Sequence, residues 1–176
     1  MKFRRYLIES NLKQYIKGML SLLSRQEDPH PMQIAYWDWQ LQQGKPVTVQ
    51  SYKSDPTLEK IITERLGIVS PRVKECYSNA WMVAATKARE IDVVVGYFSS
   101  MGIPIEHAWN FYKPKKIHFD LTYEICLKKI VENETYMQIL KTDAGKAAQI
   151  LKKNEFAIMG FMGLWFDKNI YKGKNK

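Results

Sequence analysis

Apolar and polar residues follow two periods along this chain, and the switches between them mark out its elements. From Phe3 to about Ser24, Tyr6, Leu7, Leu12, Tyr15, Ile16, Met19, Leu20 and Leu23 recur at helical spacing. The positions between them are mainly basic, which predicts an amphipathic helix within residues 1–26 that covers the core. Glu27-Asp28-Pro29-His30-Pro31 breaks the chain and leaves His30 in an exposed loop with no ligand set. Ile34 to Leu41 reads as a short aromatic helix ending near Gly44, its tryptophans used for packing. Pro46 to Tyr52 alternates, Val47 and Val49 against Thr48, Gln50 and Tyr52, as a strand or extended arm does.

Ser54-Asp55-Pro56 is a helix start, with Thr57 to Leu66 as the helix and Gly67 closing it. Glu75 to Ala88 has alanines, Met82 and Val83 without proline or glycine, which predicts a buried helix. Ile91 to Ser99 is a β-rich run, and Ser100 to Pro104 a turn beside the next strand. Two aromatic-rich runs around Lys113-Pro114-Lys115-Lys116 then predict an antiparallel hairpin. Beyond it, Glu124 to about Asn133 and Thr135 to about Asn154 read as charged helices, with Gly145 a weak point. Phe156 to Met162 reads as a closing strand or apolar lid, and Tyr171 to Lys176 as a frayed basic tail. The pattern is that of an α+β protein, a central helix packed on an antiparallel sheet with extra flanking helices. No repeat or linker divides it, so residues 1–176 are expected to form one domain with its core within residues 70–125.

Three residues at the heart of this pattern carry chemistry. Pro71 and the polar residues after it suit a helix start, which puts Cys76 in the first turn. There, unpaired amides and the positive end of the helix dipole favour a thiolate and can hold an oxyanion. With the hairpin turn centred between Lys113 and Pro114, His107 falls opposite Asp120 on the same face, Cβ atoms about 4.5–5.5 Å apart. A carboxylate there orients an imidazole, and the imidazole activates a sulfur.

The order Cys76-x-x-x-Ala80-Trp81, then Val94-Val95-Gly96-Tyr97, then His107-Ala108-Trp109, then Asp120-x-Thr122 resembles the core of the transglutaminase-like superfamily, within the papain-like cysteine enzymes. The resemblance covers Glu75 to Thr122. It implies a papain/transglutaminase-like fold with Cys76 as nucleophile, His107 as general base and acid, and Asp120 as orienting carboxylate. Two positions depart from the family pattern. Glu75 places a carboxylate beside the cysteine, where it opposes a thiolate, and Leu121 stands where relatives often have proline. Gln50, Tyr77, Trp109 and His118 are the further candidates for an oxyanion donor or cleft wall. His118 shares a strand face with Asp120 and competes with His107 as base.

The function implied is a cysteine-dependent hydrolase or acyl-transferase acting on an amide or peptide bond, with a protein or peptide-like substrate and no cofactor. Cys76, His107, Asp120 and His118 are acceptable zinc ligand types, but none has a metal-motif spacing, so no metal is expected. There is no glycine-rich phosphate loop and no dinucleotide fingerprint. Two cysteines do not make a disulfide framework; Cys76 is read as a free thiol and Cys126 as a core residue. Twenty-seven basic against eighteen acidic residues give a net charge of +9. That excess suits an acidic partner, and the alternative function is a non-catalytic protein binding such a partner or nucleic acid, the latter not favoured. Charged and polar residues interrupt every apolar stretch before it could span a bilayer, and the Met1–Arg5 start lacks a signal-peptide core, so a cytoplasmic protein is expected.

Overall fold

The computed structural model describes residues 13–18, 21–22, 25, 30–67, 70–87, 89–100, 103–128, 135–151 and 160–171. Its strands are β1 (Lys45–Val47), β2 (Ile91–Ser100), β3 (Ile103–Tyr112), β4 (Ile117–Phe119) and β5 (Thr135–Thr142). They form one antiparallel sheet in the order β1-β5-β2-β3-β4. The helices are α1 (Pro31–Gln43), α2 (Pro56–Leu66), α3 (Cys76–Thr86), α4 (Ala144–Leu151) and α5 (Gly160–Phe166). A 3-10 turn covers Tyr52–Ser54, and π-helical turns cover Thr122–Cys126 and Asp167–Tyr171.

Local chemistry sets the helix ends. Asp55 caps α2 by accepting from the Leu58 amide at 2.9 Å, and Pro56 fits the first turn, where its missing N–H costs nothing. His30 is exposed as expected, yet it also caps α1, its Nδ1 accepting from the Met32 amide at 3.2 Å. α3 presents small residues to the sheet: Ala80, Val83 and Ala84 are buried against Val93, Val95 and Ala108. The Asn110 amide donates to the Ala80 carbonyl at 2.8 Å, fixing the helix along β3. A second apolar cluster on the sheet comprises Val49, Val94, Phe98, Trp109, Tyr123 and Tyr136. Burying each of its large side chains stabilises the fold by roughly 1.5–3 kcal/mol.

The β3–β4 hairpin differs from expectation by its register. Pairs are Asn110↔Phe119, Phe111↔His118 and Tyr112↔Ile117, around a four-residue turn in which Lys116 takes the left-handed conformation at φ 56°. Asp120 therefore lies just past the last pair, on the Trp109 side of the position opposite His107. The turn is centred one residue later than expected, which moves the partner by two residues and keeps every side chain on its original face. His107 and Asp120 thus become diagonal neighbours, still within reach of each other.

The chain after Asp120 is where the expected helices fail. Residues 124–126 lie in the π-helical turn, and 129–134 lie outside the described residues. Thr135–Thr142 is β5 rather than helix, with Tyr136, Met137, Ile139 and Leu140 buried against neighbouring elements. Asp143 then switches the chain to α4, its Oδ1 accepting from the Lys146 amide at 2.9 Å. In the Phe156–Met162 run, residues 156–159 are outside the described set, and Gly160–Phe166 is helical, not a strand. Met162 and Phe166, four residues apart and both buried, show why. Of the N-terminal helix, residues 13–18 are helical and Ile16 is buried; residues 1–12 and the basic tail 172–176 are not described. Among the described residues no helix is long and apolar enough to cross a membrane.

Gly96 lies where β5 approaches β2 closely. It pairs with His107 on one side and Gln138 on the other, beside a register shift between Val95 and Gly96. A Cβ added there would lie 1.9 Å from the Met137 carbonyl oxygen, so β5 would have to move. Gly96→Ala should therefore destabilise the fold by about 1–3 kcal/mol in urea titration; an unchanged midpoint would contradict the close packing of β5 on β2.

Candidate active site

Cys76 is the first residue of α3 and a half-buried free thiol. Lys74, at φ 65°, turns the chain into the helix, and Glu75 occupies the cap position without a side-chain cap bond. The first intrahelical bond runs from the Asn79 amide to the Glu75 carbonyl at 2.8 Å. The amides of Cys76, Tyr77 and Ser78 precede that bond, at the positive end of the helix. Glu75 is exposed and lies 3.7 Å from Arg72, so its charge is shared with a cation and solvent rather than turned on the thiol.

Asn79, one turn into α3, fastens this corner. Fully buried, it accepts from the Arg72 amide at 2.9 Å and donates to the Arg72 carbonyl at 2.8 Å. It also donates to Thr122 Oγ1 at 2.9 Å. One side chain therefore ties the loop before Cys76 to the residue two beyond Asp120.

His107 Nε2 lies 2.6 Å from Asp120 Oδ2, and the two side chains are 13% and 1% exposed. The Tyr136 hydroxyl donates to the same carboxylate oxygen at 2.7 Å, and the Tyr123 amide donates to Oδ1 at 3.1 Å. The imidazole is boxed by Phe98, Tyr136 and the nearly parallel ring of Trp109, with centroids 5.7, 6.2 and 6.4 Å away. Burial opposes its charged form, but the Asp120 charge and hydrogen bond, and then hydrogen bonding and charge at Cys76, outweigh that. The pKa is pushed from 6.5 up to about 10. The imidazole thus touches the carboxylate at 2.6 Å, and Cys76 is near enough to help raise its pKa.

His118, the competing base, is in the opposite state. Its Nδ1 accepts from the Trp109 indole at 3.1 Å, and burial and Lys141 push its pKa from 6.5 down to about 4. It is neutral at pH 7 and already engaged. Trp109 is 1% exposed, so it serves as the floor beneath His107 rather than as a surface wall. Tyr77 is half-buried and donates its hydroxyl to Glu106. Gln50 is exposed; its backbone amide donates to the His118 carbonyl at 2.8 Å, while its side chain accepts from Ser54 at 3.4 Å. Cys126 ends the π-helical turn half-buried, with burial pushing its thiol pKa up, and lies outside the apolar clusters. Among the described residues no group of three or more His, Cys, Asp or Glu could hold a metal ion.

Sequence reasoning gave no role to Tyr136, Asn79 or Glu106, and named Thr122 only as part of the Asp120-x-Thr122 motif. Tyr136 was hidden by the helical reading of its segment, although Thr135-Tyr136 and Ile139 are strand formers. Nothing in the sequence signals Asn79, which is polar at a position where the helix is buried. No protein-family model matches the chain, and neither a curated protein nor a solved structure matches it.

The two histidines should give folding stability opposite pH slopes. The contribution of His107, raised from its ordinary 6.5, is complete below that value and is lost as pH climbs through about 10. That of His118, lowered, is complete above 6.5 and is lost as pH falls through about 4. Urea midpoints across pH should show His107→Gln losing the alkaline decline and His118→Gln losing the acid one. Three parallel curves, wild type included, would contradict this assignment.

Proposed function

We propose that this chain is a cysteine-dependent hydrolase or acyl-transferase with a papain/transglutaminase-like arrangement, acting on an amide or peptide bond. The observation that carries the reading is the buried His107–Asp120 pair at 2.6 Å, with Cys76 at the start of α3 near enough to help raise the imidazole's pKa. Cysteine at a helix start, an imidazole beside it and a carboxylate behind the imidazole is the set that thiol acyl transfer requires.

In the cycle Cys76 acts as the thiolate and His107 carries the proton, as an imidazolium that Asp120 stabilises and holds in one orientation. The thiolate attacks the carbonyl carbon, and the π electrons move to the oxygen, which faces the amides at the start of α3. Collapse breaks the C–N bond, and His107 delivers its proton to the departing amine. The resulting thioester is opened by water, or by a second amine, that gives its proton to His107 as it attacks. Cys76 leaves as thiolate. Water is always available, so hydrolysis is the first outcome; amine transfer uses the same groups.

Iodoacetamide labelling at neutral pH tests the activated pair. Cys76 should react faster than Cys126, and His107→Ala should slow it by about a hundredfold or more, the scale of a lost general base. Equal, slow labelling of Cys76 in both proteins would end the proposal.

A further inference from the structure

Tyr77 follows the proposed nucleophile and Glu106 precedes the proposed base. The Tyr77 hydroxyl donates to Glu106 Oε1, bridging the first turn of α3 to β3 one residue from each reactive side chain. Strand alternation sends Glu106 to the helix side of β3 while His107 faces Asp120. The Met162 backbone amide also donates to Glu106, so α5 backs the carboxylate. Burial penalises that carboxylate, and burial with the nearby Glu106 charge pushes the phenols of Tyr36, Tyr77 and Tyr97 up. Tyr97 in turn donates to the fully buried Gln40 at 2.6 Å. The bond therefore sits among packed groups, where an unmet acceptor is costly and the geometry is held.

We propose that Tyr77 and Glu106 are positioning residues that set the separation of Cys76 and His107, as Asn79 and Thr122 set that of Cys76 and Asp120. The inference rests on the thiol–imidazole reading above. It predicts that the hydrogen bond, not the charge, matters: a glutamine at 106 keeps an acceptor for Tyr77, while an alanine does not. Neither side chain touches the reacting atoms, so breaking the bond should loosen the approach of sulfur to imidazole without removing either group.

The test is the pH midpoint of His107, followed by NMR of the imidazole in the full chain. His107 is faced by Asp120, which also carries the Tyr136 hydroxyl, and by Cys76, so Cys76→Ala shows what losing the sulfur alone does. Tyr77→Phe and Glu106→Ala should move the midpoint down toward that of Cys76→Ala, and Glu106→Gln should titrate with wild type. Circular dichroism confirms that each variant is folded. If Cys76→Ala is displaced but Tyr77→Phe and Glu106→Ala stay with wild type, or Glu106→Gln falls with Glu106→Ala, the positioning role is overturned. If Cys76→Ala itself titrates with wild type, the thiol–imidazole contact fails, and the positioning role fails with it.

Discussion

A carboxylate taken wholly out of water governs this structure. Asp120 is fully buried, and a buried anion is tolerated only when its lone pairs are met and a cation or strong donor stands against it. Three donors meet it: His107 Nε2, the Tyr136 hydroxyl and the Tyr123 amide. They come from β3, β5 and the turn after β4, so the carboxylate draws three parts of the chain together. Removing one partner of such a buried pair typically costs about 3–5 kcal/mol, far more than a surface ion pair contributes. The strength of this local electrostatics is what lets a nearly buried imidazole keep its proton.

The contrast between His107 and His118 shows that burial alone does not decide charge. Both lie on one face of the β3–β4 hairpin, and burial pushes both toward the neutral form. His107 has a carboxylate at 2.6 Å and goes up; His118 has an indole donor and Lys141 and goes down. The partner wins in each case. Trp109 lies between them, stacked under one ring and hydrogen-bonded to the other, so a single apolar side chain separates two opposite protonation states.

Much of the site could be read before the fold was known. Asp55, Pro56 and Gly67 bounded α2, and the run from Cys76 to Thr86 read correctly as a buried helix. The hairpin was legible through its aromatic runs and Pro114, but its turn is centred one residue later than the sequence suggested, between Pro114 and Lys115. The His107–Asp120 contact survived that error because strand parity is preserved by a shift of two, as it would not have been by a shift of one. The segment after Asp120 was not legible. Tyr136, Ile139 and Leu140 also fit helical spacing, and only burial against β2 decides for a strand. The roles of Asn79, Thr122 and Glu106 were not legible, because they come from partners 7 to 43 residues away in the chain, not from any local pattern.

The Cys76 corner, the His107–Asp120 pair and the hydrogen bonds of Asn79 and Thr122 beside them are what the proposed acyl transfer depends on. Its most direct test is capture of the covalent intermediate. On mixing with p-nitrophenyl acetate and rapid acid quenching, mass spectrometry should find an acetyl group on Cys76 in the wild-type protein. The adduct should be missing from Asp120→Ala, whose imidazole has lost its anchor. Acetylation scattered over surface lysines, with Cys76 unmodified, would contradict the account.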